Sequence, residues 1–159
     1  MAKITFPPMG HYSPAFATLL RELGHEVILP NPPTKETLSL GTLYGPEFAC
    51  LPLKICLGSY VESLERGAEV IVTSGGVGPC RAGLYGTVQR EILKSLGYRF
   101  EMIVLEPPRR HPLELLKALH RLDAFRRAPW QLVNTAFKTW EMIKALDRLE
   151  RELHRIRPR

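Results

Sequence analysis

Cysteine is scarce in this chain of 159 residues: there are three, at positions 50, 56 and 80. Without a secretory segment, so few read as free thiols or metal ligands, and a disulfide framework is excluded. Their spacing matches neither a zinc ribbon nor a ferredoxin run. On spacing alone, buried structural thiols are the better reading than ligands, and the loop chemistry around Cys50 and Cys80 narrows that gap. No run of roughly 18 uncharged apolar residues occurs, so no membrane span is expected. Pro7 and Pro8 interrupt the N-terminal stretch before a secretory core could form. The expected location is therefore the cytoplasm. There is no internal repeat and no low-complexity tract. No Ser-His-Asp order or carboxylate pair emerges, so no reaction is expected from this chain alone. Nucleic-acid motifs are missing too, and nucleic acid is not an expected partner.

What is present is ordinary globular material, with 45% apolar and 24% charged residues, enough to build a core. The formal charge of +6 is unevenly placed. Residues 1–108 hold nine Lys/Arg against ten Asp/Glu, and residues 109–159 hold thirteen against six, so the front carries −1 and the tail +7. The chain divides accordingly into an α/β part, 1–108, and a basic helical tail, 109–159. The tail reads as a solvated helix face or as a docking or dimerisation helix.

Strand-like and helix-like segments alternate through the front part. Strands are predicted at Lys3–Phe6, His25–Leu29, Glu69–Thr73 and Phe100–Leu105. Helices are predicted from Ser13-Pro14 to Gly24, from Thr34 to about Leu40, over Ser59–Arg66 and over Leu84–Leu96. This alternation predicts a Rossmann-like or flavodoxin-like three-layer sandwich of about four parallel strands. Past Pro107-Pro108, a helix is predicted from His111-Pro112 to about Leu122. A long one runs from Pro129 to about Ile156. The long helix shows Val133, Phe137 and Trp140 on one side, then Met142, Leu146, Leu149, Leu153 and Ile156 spaced 4, 3, 4, 3. That is a seam of about two heptads. Such a face docks on its own subunit or is covered by a protein partner or a second copy, and association is the expected outcome because so much apolar surface buries poorly on a domain of some 108 residues.

Thr73–Gly83, a Gly-rich stretch between a predicted strand and a predicted helix, is the most informative segment. In an open parallel sheet, ligands gather beyond the carboxyl ends of the strands, where this stretch falls. Gly75, Gly76 and Gly78 let the backbone approach a bound group closely. Pro79 suits a first helical turn, which places Cys80 and Arg81 at a helix N-terminus, where anions are favoured. The stretch lacks the Gly-Lys-Ser/Thr ending of a phosphate-binding P-loop, and Gly83 comes two positions late for a dinucleotide fingerprint. Cys50 lies between Pro46 and Pro52, in a rigid loop ahead of a helix. His11 and Glu106 follow predicted strands and are further candidates for the same rim.

Four stretches carry a family resemblance: KITFPPMG from Lys3, LGHEVILP from Leu23, GPEFACLPLK from Gly45, and GGVGPCRAGLYGTVQREILKSLGYRFEMIVLEPP from Gly75. Together they resemble the iron–sulfur subunits of 2-hydroxyacyl-CoA dehydratases and benzoyl-CoA reductases. The nearest branch looks like the dehydratase-like region attached to CoA-substrate-specific enzyme activases. The likeness spans about residues 3–108, and the block Gly78–Gly86 is its most specific element.

The resemblance implies a cytoplasmic protein of anaerobic acyl-CoA metabolism, taking part in low-potential electron transfer. It implies an iron–sulfur cluster, 4Fe-4S or double-cubane, reduced by an ATP-hydrolysing activase. Cys50 and Cys80 match cluster cysteines of the family, and Cys56 matches none. The Gly75–Gly78 backbone is expected to donate N–H groups to cluster sulfurs, with Arg81 alongside. Family members are longer and take a third cysteine from a later domain, and the activase ATP motifs are missing here. Two matched thiolates do not complete the usual ligand set of a four-iron cluster. Several arrangements stay open: Cys56 as third ligand, two copies sharing one cluster, or an activase or second dehydratase-type subunit supplying the rest. The last is a truncated remnant or regulatory subunit that binds no cluster and docks through its C-terminal helix.

Overall fold

The computed structural model describes residues 2–75, 81–105, 112–122 and 129–156. Its centre is a parallel sheet of four strands, β1 (Lys3–Thr5), β2 (Glu26–Val27), β3 (Val70–Ser74) and β4 (Glu101–Leu105), in the order β2-β1-β3-β4. Ile4 stands opposite Val27 on one side and Val70 on the other, and Val70 to Ser74 pair in step with Glu101 to Leu105. Side chains alternate across a strand, so β3 feeds two cores. Val70 and Val72 join Ile4, Phe6, Ala17, Leu20 and Ile103 in one layer. Ile71 joins Leu57, Tyr60, Leu64, Leu93 and Met102 in the other. A strand buried on both faces reads as a continuous apolar run, which is how Val70–Val72 stands in the sequence.

Helices cover both faces. α1 (Ser13–Glu22) and α5 (Pro112–Arg121) supply the first layer, and α3 (Leu51–Glu65) and α4 (Tyr85–Ser95) the second. The expected three-layer α/β sandwich is therefore the fold. α2 (Lys35–Tyr44) lies outside α3, and α6 (Pro129–Ile156) lies against α1 and the 3₁₀ turn Gly10–Tyr12. No helix among the described residues is long and apolar enough to cross a membrane.

The elements fall close to their predicted places, with one large difference. α3 begins at Leu51, eight residues before the predicted start at Ser59. Pro52 lies in its first turn, where the missing N–H is no loss, so the proline opens the helix and does not delay it. The early turns hid from periodicity because their apolar residues fall on exposed and buried sides alike: Leu51 is exposed, Ile55 half-buried and Leu53 buried. The tail seam also splits. Met142 and Leu146 are half-buried, whereas Leu149, Leu153 and Ile156 are exposed.

α2 and α3 pack backbone to backbone. A Cβ added at Gly58 would lie 1.9 Å from the carbonyl oxygen of Thr37, and one at Gly41 would lie 1.8 Å from that of Lys54. The pair is pinned further by the Thr37 hydroxyl, which donates to Glu62 Oε1 at 2.5 Å. Thr34 caps α2 by accepting from the Thr37 N–H at 3.2 Å. Replacing Gly58 with Ala forces the helices apart. Overpacking of this kind costs about 1–3 kcal/mol, so the thermal midpoint of Gly58→Ala should fall by about 3–10 °C. An unchanged midpoint would contradict the close approach.

Candidate functional site

A helix leading directly into or out of a strand of a parallel sheet runs back against the strands, so its N-terminus stands at the carboxyl rim, as in α3 before β3 and α4 after it. Two helix starts meet there. Cys50 is the N-cap residue of α3, with extended backbone (φ −68°, ψ 156°) and no side-chain capping bond. Tyr85 is the first residue of α4. The Cys50 thiol and the Tyr85 hydroxyl are hydrogen-bonded across 35 positions of sequence. This contact joins the segment around Cys50 to the one that follows the Gly-rich stretch. Gly86 makes it geometrically accessible: a Cβ there would stand 3.0 Å from Val104 Cγ2 and 3.4 Å from Thr73 Cγ2, so α4 starts hard against the sheet.

Around the contact lies a cavity of about 470 Å³, lined by Pro46, Phe48, Cys50, Leu53, Leu84, Tyr85 and Val88 among others. Its walls are almost wholly apolar carbon. Phe48 and Leu84 remain largely exposed at its mouth. Buried polar pairs tie α3 to β3 and to α4. The Tyr60 hydroxyl donates to Thr73 Oγ1 at 3.2 Å, and burial pushes that phenol well above the usual tyrosine range. The Gln89 amide donates to the Leu53 carbonyl at 3.5 Å, bracing α4 against the first turn of α3.

The two described cysteines, Cys50 and Cys56, separate by environment. Cys50 is exposed at the rim. Cys56 lies six residues on, roughly 9 Å up the helix and about 240° around it, packed against the Leu57–Tyr60 core layer. Burial, with a smaller contribution from the neighbouring Cys50 sulfur, pushes its thiol up to about 11. Metal ligation takes a thiolate, which this environment disfavours. Cys80, Gly76, Gly78 and Glu106 lie outside the described residues. Arg81 opens the 3₁₀ turn Arg81–Leu84, one residue after Cys80, and α4 follows directly. The N–H of Gly75 donates to the Leu105 carbonyl at 2.9 Å, so it is committed to extending the sheet and is not free for a ligand. His11 is exposed in the 3₁₀ turn after β1. Among the described residues, no three His, Cys, Asp or Glu side chains are grouped so as to hold a metal ion.

Two functional contacts were missed in the sequence. Tyr85 stands inside the quoted Gly78–Gly86 block, and its tyrosine was the available signal for a partner of Cys50. The second is Tyr12, whose hydroxyl lies 2.7 Å from Asp147 Oδ1 and 3.0 Å from Glu150 Oε2. These two carboxylates, Asp147 first, push the phenol above the usual tyrosine range. No local pattern links residues so far apart in the chain.

Residues 8–73 match the family model described as CoA enzyme activase uncharacterised domain (DUF2229). The match supports a link to CoA-enzyme activases over that stretch, which contains Cys50 and Cys56 and ends before the Gly-rich connection. No curated protein and no solved structure matches the chain.

The contrast between the two described thiols is measurable. At pH 8, alkylation of Cys56 should be about a hundredfold slower than that of a thiol at its ordinary value, while Cys50 labels readily. Because Cys56 holds its proton more tightly folded than unfolded, its contribution to stability is complete below pH 9 and is lost as the pH rises toward 11. Cys56→Ala should flatten this alkaline decline. Equal labelling rates for Cys50 and Cys56, or an unchanged alkaline profile in the variant, would contradict the assigned environment.

Proposed function

We propose that the chain is a cysteine-ligated iron–sulfur domain serving a CoA-enzyme activase system. In this reading it passes low-potential electrons into the dehydration or reduction of an acyl-CoA substrate. The observation that carries the reading is the contact between Cys50 and Tyr85 at the sheet's carboxyl rim. It joins the Gly45–Lys54 stretch to the Gly78–Gly86 block, the two stretches that hold Cys50 and Cys80.

The residues present fit a cluster in donor chemistry and fall short of one in number. Of the two described cysteines, Cys50 is the exposed one. Cys50 and Cys80 are the ligands in this reading, Cys56 stays protonated in the core, and a second copy or a dehydratase-type subunit completes the set. When bound, the cluster supplies one-electron transfer. The chain's own residues have defined parts. The N-cap position of α3 favours negative charge at Cys50. The Tyr85 hydroxyl donates to the Cys50 sulfur and fixes its direction, an outer contact of the kind that tunes a metal site. Phe48, Leu53 and Val88 set apolar carbon beside that sulfur, and the polarity of the surroundings is a lever on cluster potential.

A second reading, a docking module without a cluster, is favoured by the exposed aromatic side chains of α6. The two separate in one experiment. Anaerobic reconstitution of the whole chain with ferrous iron and sulfide should give brown protein with both elements bound. Cys50→Ser and Cys80→Ser should each lose most of the iron, and Cys56→Ser should keep it. Tyr85→Phe should retain the iron and shift the midpoint potential. Colourless wild-type protein, or full iron in Cys50→Ser, would overturn the proposal in favour of the docking module.

A further inference from the structure

We infer that α6 is a self-association helix that pairs antiparallel with α6 of a second copy of this chain. The helix is inverted relative to an ordinary surface helix. Thr135 and Thr139 are buried, while Trp130, Val133, Phe137 and Trp140 are 68%, 68%, 61% and 58% exposed. At about 100° per residue these four fall within about 80° of the helix circumference, opposite the two threonines. The aromatic stripe therefore faces away from α1, against which the helix lies. A second copy meeting this stripe keeps its own body on the far side.

The spacing selects the orientation. Positions 130, 133, 137 and 140 are separated by 3, 4 and 3 residues, a pattern that reads the same in reverse. An antiparallel pair centred at residue 135 sets Trp130 of each copy against Trp140 of the other, and Val133 against Phe137. Lys144, Arg148, Arg151 and Arg155 continue the same stripe toward the C-terminus. A parallel pair would stack these cations on their own copies, where like charges at a seam repel. The antiparallel pair carries the two cationic halves off in opposite directions. It also brings Glu141 of each copy to the start of the other α6, the end of a helix that favours a carboxylate. Side chains of this size and exposure bury roughly 500 Å² per copy. The total of about 1,000 Å² is where specific interfaces begin.

Sedimentation equilibrium of the full chain tests this. Wild type should be a dimer at micromolar concentration. Val133→Glu and Phe137→Lys should each be monomeric, with circular dichroism and thermal midpoint unchanged, since both side chains point into solvent in one copy. An equimolar mixture of the two variants should restore a heterodimer, because position 133 of one chain meets position 137 of the other. In a parallel pair these positions do not meet, and mixing rescues nothing. A monomeric wild type, dimers that survive either substitution, or failure of the mixture to associate would overturn the inference. So would a monomeric wild type whose α6 binds vesicles of anionic lipid, which would give the stripe to a membrane surface.

Discussion

The direction of the four strands governs everything at the candidate site. With all strands parallel, the chain must return across a face of the sheet after each one, and every return starts from the same rim. α3 runs back into β3 and α4 runs back from it, so their starts share one rim, although Cys50 and Tyr85 are 35 positions apart. The strand order β2-β1-β3-β4 adds a reversal between β1 and β3. At such a reversal the connections depart to opposite faces and leave a crevice between them. α1 leaves β1 toward one face and α4 leaves β3 toward the other.

Much of this was legible in the sequence, and for nameable reasons. Val70–Val72 and Met102–Val104 are short apolar runs closed by turn residues, and a strand buried on two faces has that signature. Ser13-Pro14 and Thr34 announce helix starts through capping chemistry, and the Thr34–Thr37 pair bonds reciprocally as a capping box does. The reading failed at the start of α3. Its first turns carry no amphipathic rhythm because apolar residues stand on exposed and buried sides alike, Leu51 and Ile55 as well as Leu53, and Pro52 reads as a break although it is a first-turn residue. At the site, a sequence reading could place Cys50 in a loop ahead of a helix. It could not place Cys56, because only packing distinguishes a thiol that faces the core from one that faces the rim.

The tail shows a different kind of limit. Heptad counting runs one seam from Met142 to Ile156, and the fold divides it along its length, with Leu149, Leu153 and Ile156 exposed. In the fold, Met142 and Leu146 turn toward the body, and Trp130, Val133, Phe137 and Trp140 turn from it. What decided the matter was a pair of buried threonines, Thr135 and Thr139, whose polarity argues for the outside. Thr139 resolves the conflict by donating its hydroxyl to the Thr135 carbonyl at 2.9 Å, so no unsatisfied donor is taken into the interior.

The contact between α2 and α3 through Gly41 and Gly58 reaches beyond stability. Where main chain meets main chain there are no rotamers to readjust, so the two helices form a stiff plate and Cys50 is mounted on its edge. Tyr85, across the gap, starts a helix preceded only by a 3₁₀ turn. The rim is therefore fixed from both sides, with position 50 on this plate and position 85 on a helix seated tight against the sheet at Gly86.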